Sequence, residues 1–94
     1  MRPVDFRKLL ETKPSLTLVG FTINGQPRPH KFLNLRRQVV GVRSKDFQIA
    51  EPGQAPSYMS LPKTGEVSAT PDGFTITQSD GPGYVVALTY RVES

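Results

Sequence analysis

Val67-Ser68-Ala69-Thr70-Pro71-Asp72-Gly73-Phe74-Thr75-Ile76-Thr77 reads as a β-hairpin. Two short runs of strand-forming residues flank Thr70 to Gly73. There Pro71 suits position i+1 of a type I turn, and Gly73 is expected to supply a left-handed residue. The same punctuation recurs on either side. Ser79-Asp80-Gly81-Pro82-Gly83 is a second turn, after which Tyr84 to Val92 forms the longest strand. Val86, Leu88, Tyr90 and Val92 fall on one face of that strand. Val85, Ala87 and Thr89 make the other face apolar enough for a central position.

Upstream, Tyr58-Met59-Ser60-Leu61 is a short strand ended by Pro62, preceded by a loop over 51–57. Val39–Arg43 and Phe47–Ala50 read as a hairpin closed by Ser44-Lys45-Asp46, with Val40, Val42, Phe47 and Ile49 pointing inward. Leu33 and Leu35 have the opposite parity to Val40 and Val42, which predicts a kink at Arg36-Arg37-Gln38 after a strand over 31–35. Asn24-Gly25 is a strong turn signal. The following Gln26-Pro27-Arg28-Pro29-His30 predicts a longer, partly extended loop instead of a tight two-residue hairpin. Leu16 and Leu18 share a face, whereas Val19, Phe21 and Ile23 take the other parity. A bulge at Val19-Gly20 accounts for the switch.

Only Pro3 to Lys13 carries a helical period, with Phe6, Leu9 and Leu10 at i, i+3 and i+4. Pro3 fits the first turn and Pro14 ends the helix by restricting Lys13. A helix this short is unstable alone, so its apolar stripe must lie on the sheet. The expectation is a mainly β (α+β) fold comprising one domain over 1–94. A short helix over 3–13 packs on a six- to seven-stranded antiparallel sheet over 15–94, arranged as a small barrel or sandwich. Its core is expected to contain Val40, Val42, Phe47, Ile49, Phe74, Ile76, Val86, Leu88 and Tyr90.

Composition excludes several classes of function. Ile, Leu, Val and Phe supply 25 of 94 residues, enough for a modest core. With no cysteine there is no disulfide framework, Cys-based zinc site or Cys nucleophile, and a single histidine precludes a multi-His metal centre within one chain. No cofactor or metal is expected. His30 lies in a loop with no serine or carboxylate at a spacing that would make it catalytic, and is read as a solvated loop histidine. Gly81-Pro82-Gly83 lacks the Lys, Ser/Thr and following helix of a phosphate loop. Residues 1–13 have no apolar run suited to a signal peptide, and the most apolar stretch, 84–90, is far too short to span a bilayer. A soluble, cytoplasmic protein without a membrane role is expected, and the chain does not read as an enzyme.

Charge is unevenly distributed. Residues 1–47 hold ten basic side chains against three acidic ones, and residues 48–94 hold two against five. Such asymmetry marks either a polyanion-binding face or two halves that neutralise each other. Arg28, His30, Lys31, Arg36, Arg37, Arg43 and Lys45 fall within 18 residues, with no acidic residue before Asp46. Arginine's planar fork suits phosphate, and Phe32 and Tyr58 are candidate stacking platforms. Core burial is the competing reading for Phe32. No helix-turn-helix, zinc-finger or RNP pattern accompanies the cluster. The first functional expectation is a non-enzymatic module binding nucleic acid through segment 28–45, with Arg36 and Arg37 on its surface. The second is a regulatory or accessory protein that recognises an acidic protein partner. A structural subunit that oligomerises through an exposed edge strand is third.

Overall fold

The computed structural model describes residues 1–93; Ser94, the last position of the expected β region, lies outside them. Among the described residues are one helix, α1 (Pro3–Glu11), and eight strands. The strands are β1 (Ser15–Ile23), β2 (Gln26–Pro27), β3 (Arg36–Val42), β4 (Asp46–Ala50), β5 (Ser57–Ser60), β6 (Val67–Thr70), β7 (Gly73–Ser79) and β8 (Val85–Glu93). They form one antiparallel sheet in the order β5-β4-β3-β1-β8-β7-β6, with β2 paired to β1. The fold is thus mainly β with a short N-terminal helix, as the turn spacing implied. The sheet is not closed into a barrel, because β5 and β6 remain unpaired edges. No helix among the described residues is long and apolar enough to cross a membrane.

The sheet curls. Phe6 of α1 makes edge contacts with both Phe47 of β4 (ring centroids 6.3 Å apart) and Phe74 of β7 (4.9 Å), although three strands separate β4 from β7. The Tyr90 hydroxyl of β8 reaches the Met59 sulfur of β5 at 3.8 Å. The concave side therefore holds the core: Phe6, Leu10, Leu16, Leu18, Val39, Phe47, Ile49, Val67, Phe74, Ile76 and Tyr90. Leu9 packs partly buried against it, so the stripe on α1 lies as its spacing requires. The helix ends at Thr12, and Lys13 turns left-handed (φ 52°) before Pro14. Gln38 of β3 secures this exit, donating to the Lys13 carbonyl and accepting a hydrogen bond from the Ser15 hydroxyl.

Several local expectations change. The bulge at Val19 is present: Leu18 pairs with Tyr90 and Gly20 with Thr89. The second parity break is not at Arg36-Arg37-Gln38, which runs straight as β3 against β1. It lies at Val40, where Val39 opposes Ile49 and Gly41 opposes Gln48. One inserted residue reverses the facing of what precedes it, so Val39 is fully buried and Val40 is 40% exposed. Val42, Val86 and Leu88 are half-buried, and the rest of the expected core is inside.

The turn after β1 is a tight two-residue hairpin. Asn24 (φ 51°) and Gly25 (φ 79°) are both left-handed, and Ile23 pairs with Gln26. Pro27 is tolerated opposite Thr22 because the ladder bond is made by the next residue, the Arg28 N–H donating to the Phe21 carbonyl. The Asn24 amide also accepts from the Val85 N–H and donates to the Gly83 carbonyl, fixing the turn to β8. Residues 31–35 are successive turns instead of a strand. Asn34 is left-handed (φ 63°), and only a Leu18–Leu33 bridge joins them to the sheet.

Gly73 does not supply a positive φ. A Cβ there would lie 2.1 Å from the Tyr90 carbonyl oxygen, so the glycine allows close approach of β7 to β8.

Candidate functional site

The seven basic residues of segment 28–45 do not share one face. Alternation along β4 and β5 decides the matter. Phe47 and Ile49 are buried and oppose Met59 and Ser57, so Tyr58, opposite Gln48, points to the convex side. Tyr58 is 59% exposed, and the Arg43 guanidinium lies 4.7 Å from its ring centroid. Arg43 is also tied to Asp46 by two hydrogen bonds, at 2.7 and 2.9 Å, which hold the Asp46 carboxyl below the usual carboxylate range. Lys45 is exposed in the turn between them. Arg36, at the start of β3, is exposed but paired with Glu93 at 3.2 Å, which also accepts from Arg91. Arg28 is exposed beside the β1–β2 hairpin, with no ion pair among the described residues.

Arg37 faces the opposite way. It alternates with Arg36 and Gln38, so it points with Val39 into the concave side and is only 5% exposed. The surface position expected for it is therefore wrong, and the reason is register: Arg37 opposes Leu16, an inward residue of β1. Its guanidinium stacks on Phe32, 3.9 Å from the ring centroid, and the Lys31 amino group lies 4.9 Å from the same centroid. Phe32 is neither free platform nor full core; it is half-buried beneath two cations. His30 is not a plainly solvated histidine either. It is half-buried, with its ring 4.8 Å from Phe21 and 5.8 Å from Phe32. Its Nδ1 accepts the Phe32 N–H at 3.1 Å, so the neutral ring carries its proton on Nε2.

Two small cavities meet at this group. One, of about 220 Å³, is lined by Lys31, Glu51, Gln54 and Ser57; the other, of about 210 Å³, by His30, Met59, Leu88 and Tyr90. Phe32, Arg37 and Ser57 line both. Burial pushes the Tyr90 phenol up, and the nearby Arg37, through its charge and a side-chain hydrogen bond to the phenol oxygen, partly offsets that rise. The sequence gives no direct signal for these contacts. A bulge displaced by a few residues and a left-handed Asn34 decide them. Among the described residues, no group of three His, Asp or Glu side chains is placed to hold a metal ion. No protein family, curated protein or solved structure matches this chain.

Proposed function

We propose that this small β protein is a non-enzymatic module that binds single-stranded nucleic acid around the edge strand β5. The observation that carries the reading is how the charges pair. Among the described residues only Arg36–Glu93 joins the basic half of the chain to the acidic half; the other ion pairs lie within one half. The net charge of residues 1–47 is therefore not cancelled by direct contacts with residues 48–94, and a positive field persists around segment 28–45. Arg28, Lys31 and Lys45 supply free phosphate contacts. Arg36 and Arg43 contribute while shared with their carboxylates. Phe32 and Tyr58 stand on opposite sides of the sheet, on either side of β5. A duplex, stiff over about 150 base pairs, cannot follow such an edge, whereas a flexible single strand can.

The test is fluorescence anisotropy of labelled single- and double-stranded oligonucleotides across a salt series. Wild type should prefer single strands, with log K falling by about 0.7 per phosphate contact for each tenfold rise in salt. Arg28→Glu/Lys31→Glu, at exposed positions, should abolish binding with an unchanged circular dichroism spectrum. If wild type binds no oligonucleotide at about 50 mM salt, where such contacts are strong, the reading fails and recognition of an acidic protein partner replaces it.

A further inference from the structure

Resting on that reading, we propose that Arg37 is the receptor for a terminal phosphomonoester, its phosphate on the guanidinium and its base in the adjoining aromatic cavity. A charge as buried as that of Arg37 is normally paired, because removing it from water without a counter-charge is costly. Here, among the described residues, no carboxylate lies within 4 Å of it. The Tyr90 hydroxyl oxygen engages one of the Arg37 N–H groups, and none of the fully sealed side-chain nitrogens or oxygens among the described residues lacks a partner. The guanidinium N–H groups that Tyr90 does not take are therefore open to the two cavities. The ring of Phe32 covers the guanidinium face. The other in-plane N–H groups remain to be shared between the cavities, the geometry in which arginine grips phosphate with two parallel hydrogen bonds.

The surroundings reinforce this. Lys31 stands over the same phenyl ring, and the His30 ring is 5.8 Å from it, so three basic side chains converge on Phe32. Glu51 is the carboxylate in the wall of the polar cavity, and among the described residues it forms no ion pair. The cavities differ in character. Lys31, Gln54 and Ser57 make the first suitable for phosphate oxygens, while Phe32, Met59, Leu88 and Tyr90 make the second suitable for a flat ring. Each is smaller than the roughly 300 Å³ at which drug-sized pockets begin, so the pair holds one nucleotide and no more.

The narrow access favours an end over an internal linkage. An internal phosphodiester carries sugars on both sides and a single negative charge. A terminal phosphomonoester has one attachment, three free oxygens and a charge approaching −2 at neutral pH. Only such a protruding group can reach an arginine that is 5% exposed. The same chemistry is offered by a free mononucleotide, and the experiment separates the two sources.

Four probes are compared with wild type: inorganic phosphate, adenosine 5′-monophosphate, and a roughly ten-nucleotide single strand with and without a 5′-phosphate. The expected result is about tenfold tighter binding of the phosphorylated strand, and a Tm rise of about 4 °C or more with saturating mononucleotide. Arg37→Met, which keeps length and removes charge, should lose both effects. Arg37→Lys and Lys31→Gln should each weaken them several-fold, and carry the test if Arg37→Met does not fold. Glu51→Gln should strengthen them. Equal affinity for the two strands, with no Tm response to mononucleotide, overturns this proposal and leaves the single-strand reading standing. A mononucleotide response confined to wild type, with neither strand bound, supports the phosphomonoester site and overturns the nucleic-acid reading. Binding of inorganic phosphate alone overturns the assignment of the aromatic cavity to a base. No response to any probe overturns both.

Discussion

The two ends of the concave side are closed in different ways. At one end α1 inserts Phe6 and Leu10 between β4 and β7, and the closure is wholly apolar. At the other, segment 28–35 folds over the sheet and closes it with Phe32, His30 and the inward Arg37. Both solve the same problem, since a curled sheet without a second layer exposes its core. The helix end has chemistry sufficient for that purpose alone. The loop end places a cation where an aliphatic side chain would close the core at lower cost. A position that gives up stability without a structural return is where binding is to be sought.

This contrast can be broken by measurement. Phe6→Ala empties a buried site in contact with two other rings, and should lower stability by about 3–5 kcal/mol in urea unfolding. Phe32→Ala removes a half-buried ring and a cation–π platform, and should cost about 1–2 kcal/mol. Equal losses would show that the two ends are equally structural. Arg37→Met should raise stability by about 1 kcal/mol, because it removes a buried charge that has no counter-charge among the described residues while filling the same space. A loss of several kcal/mol would mean that Glu51 and Tyr90 satisfy Arg37 within the fold. The smallest effect belongs to the convex side. Asp46 titrates low because Arg43 holds its ionised form, so its contribution is present above the ordinary carboxylate range and fades as pH falls through the depressed value. Asp46→Asn should lower stability slightly near neutrality and flatten the acid limb of the stability–pH profile, the two proteins converging at low pH.

The binding reading has its own gradation. Arg28→Glu/Lys31→Glu should remove affinity altogether, whereas replacing Arg36, already shared with Glu93, should reduce it only modestly. A larger loss at Arg36 than at Arg28 and Lys31 would move the interface from the β5 edge to the convex surface.

Local chemistry determined much of this protein from the sequence alone. Proline positions and the i, i+3, i+4 spacing placed α1 and its buried stripe. The Pro71 and Gly81-Pro82-Gly83 turns placed the β6–β7 and β7–β8 hairpins, and the parity switch at Val19 located a bulge, because each of these signals acts within a few residues. The tertiary structure decided the remainder. A parity break between Leu35 and Val42 is visible in the sequence, but its position depends on which residue β4 leaves unpaired. That choice at Val40 sends Val39 inward and Val40 outward. It was legible that Phe32 and Arg37 belonged to one basic segment, but not that they would stack inside while Tyr58 and Arg43 stack outside. Gly73 suited a turn on sequence grounds; its need comes from the Tyr90 carbonyl, 17 residues away in the chain. Facing and close approach are set by the pairing of distant strands, where a one-residue shift exchanges core for surface.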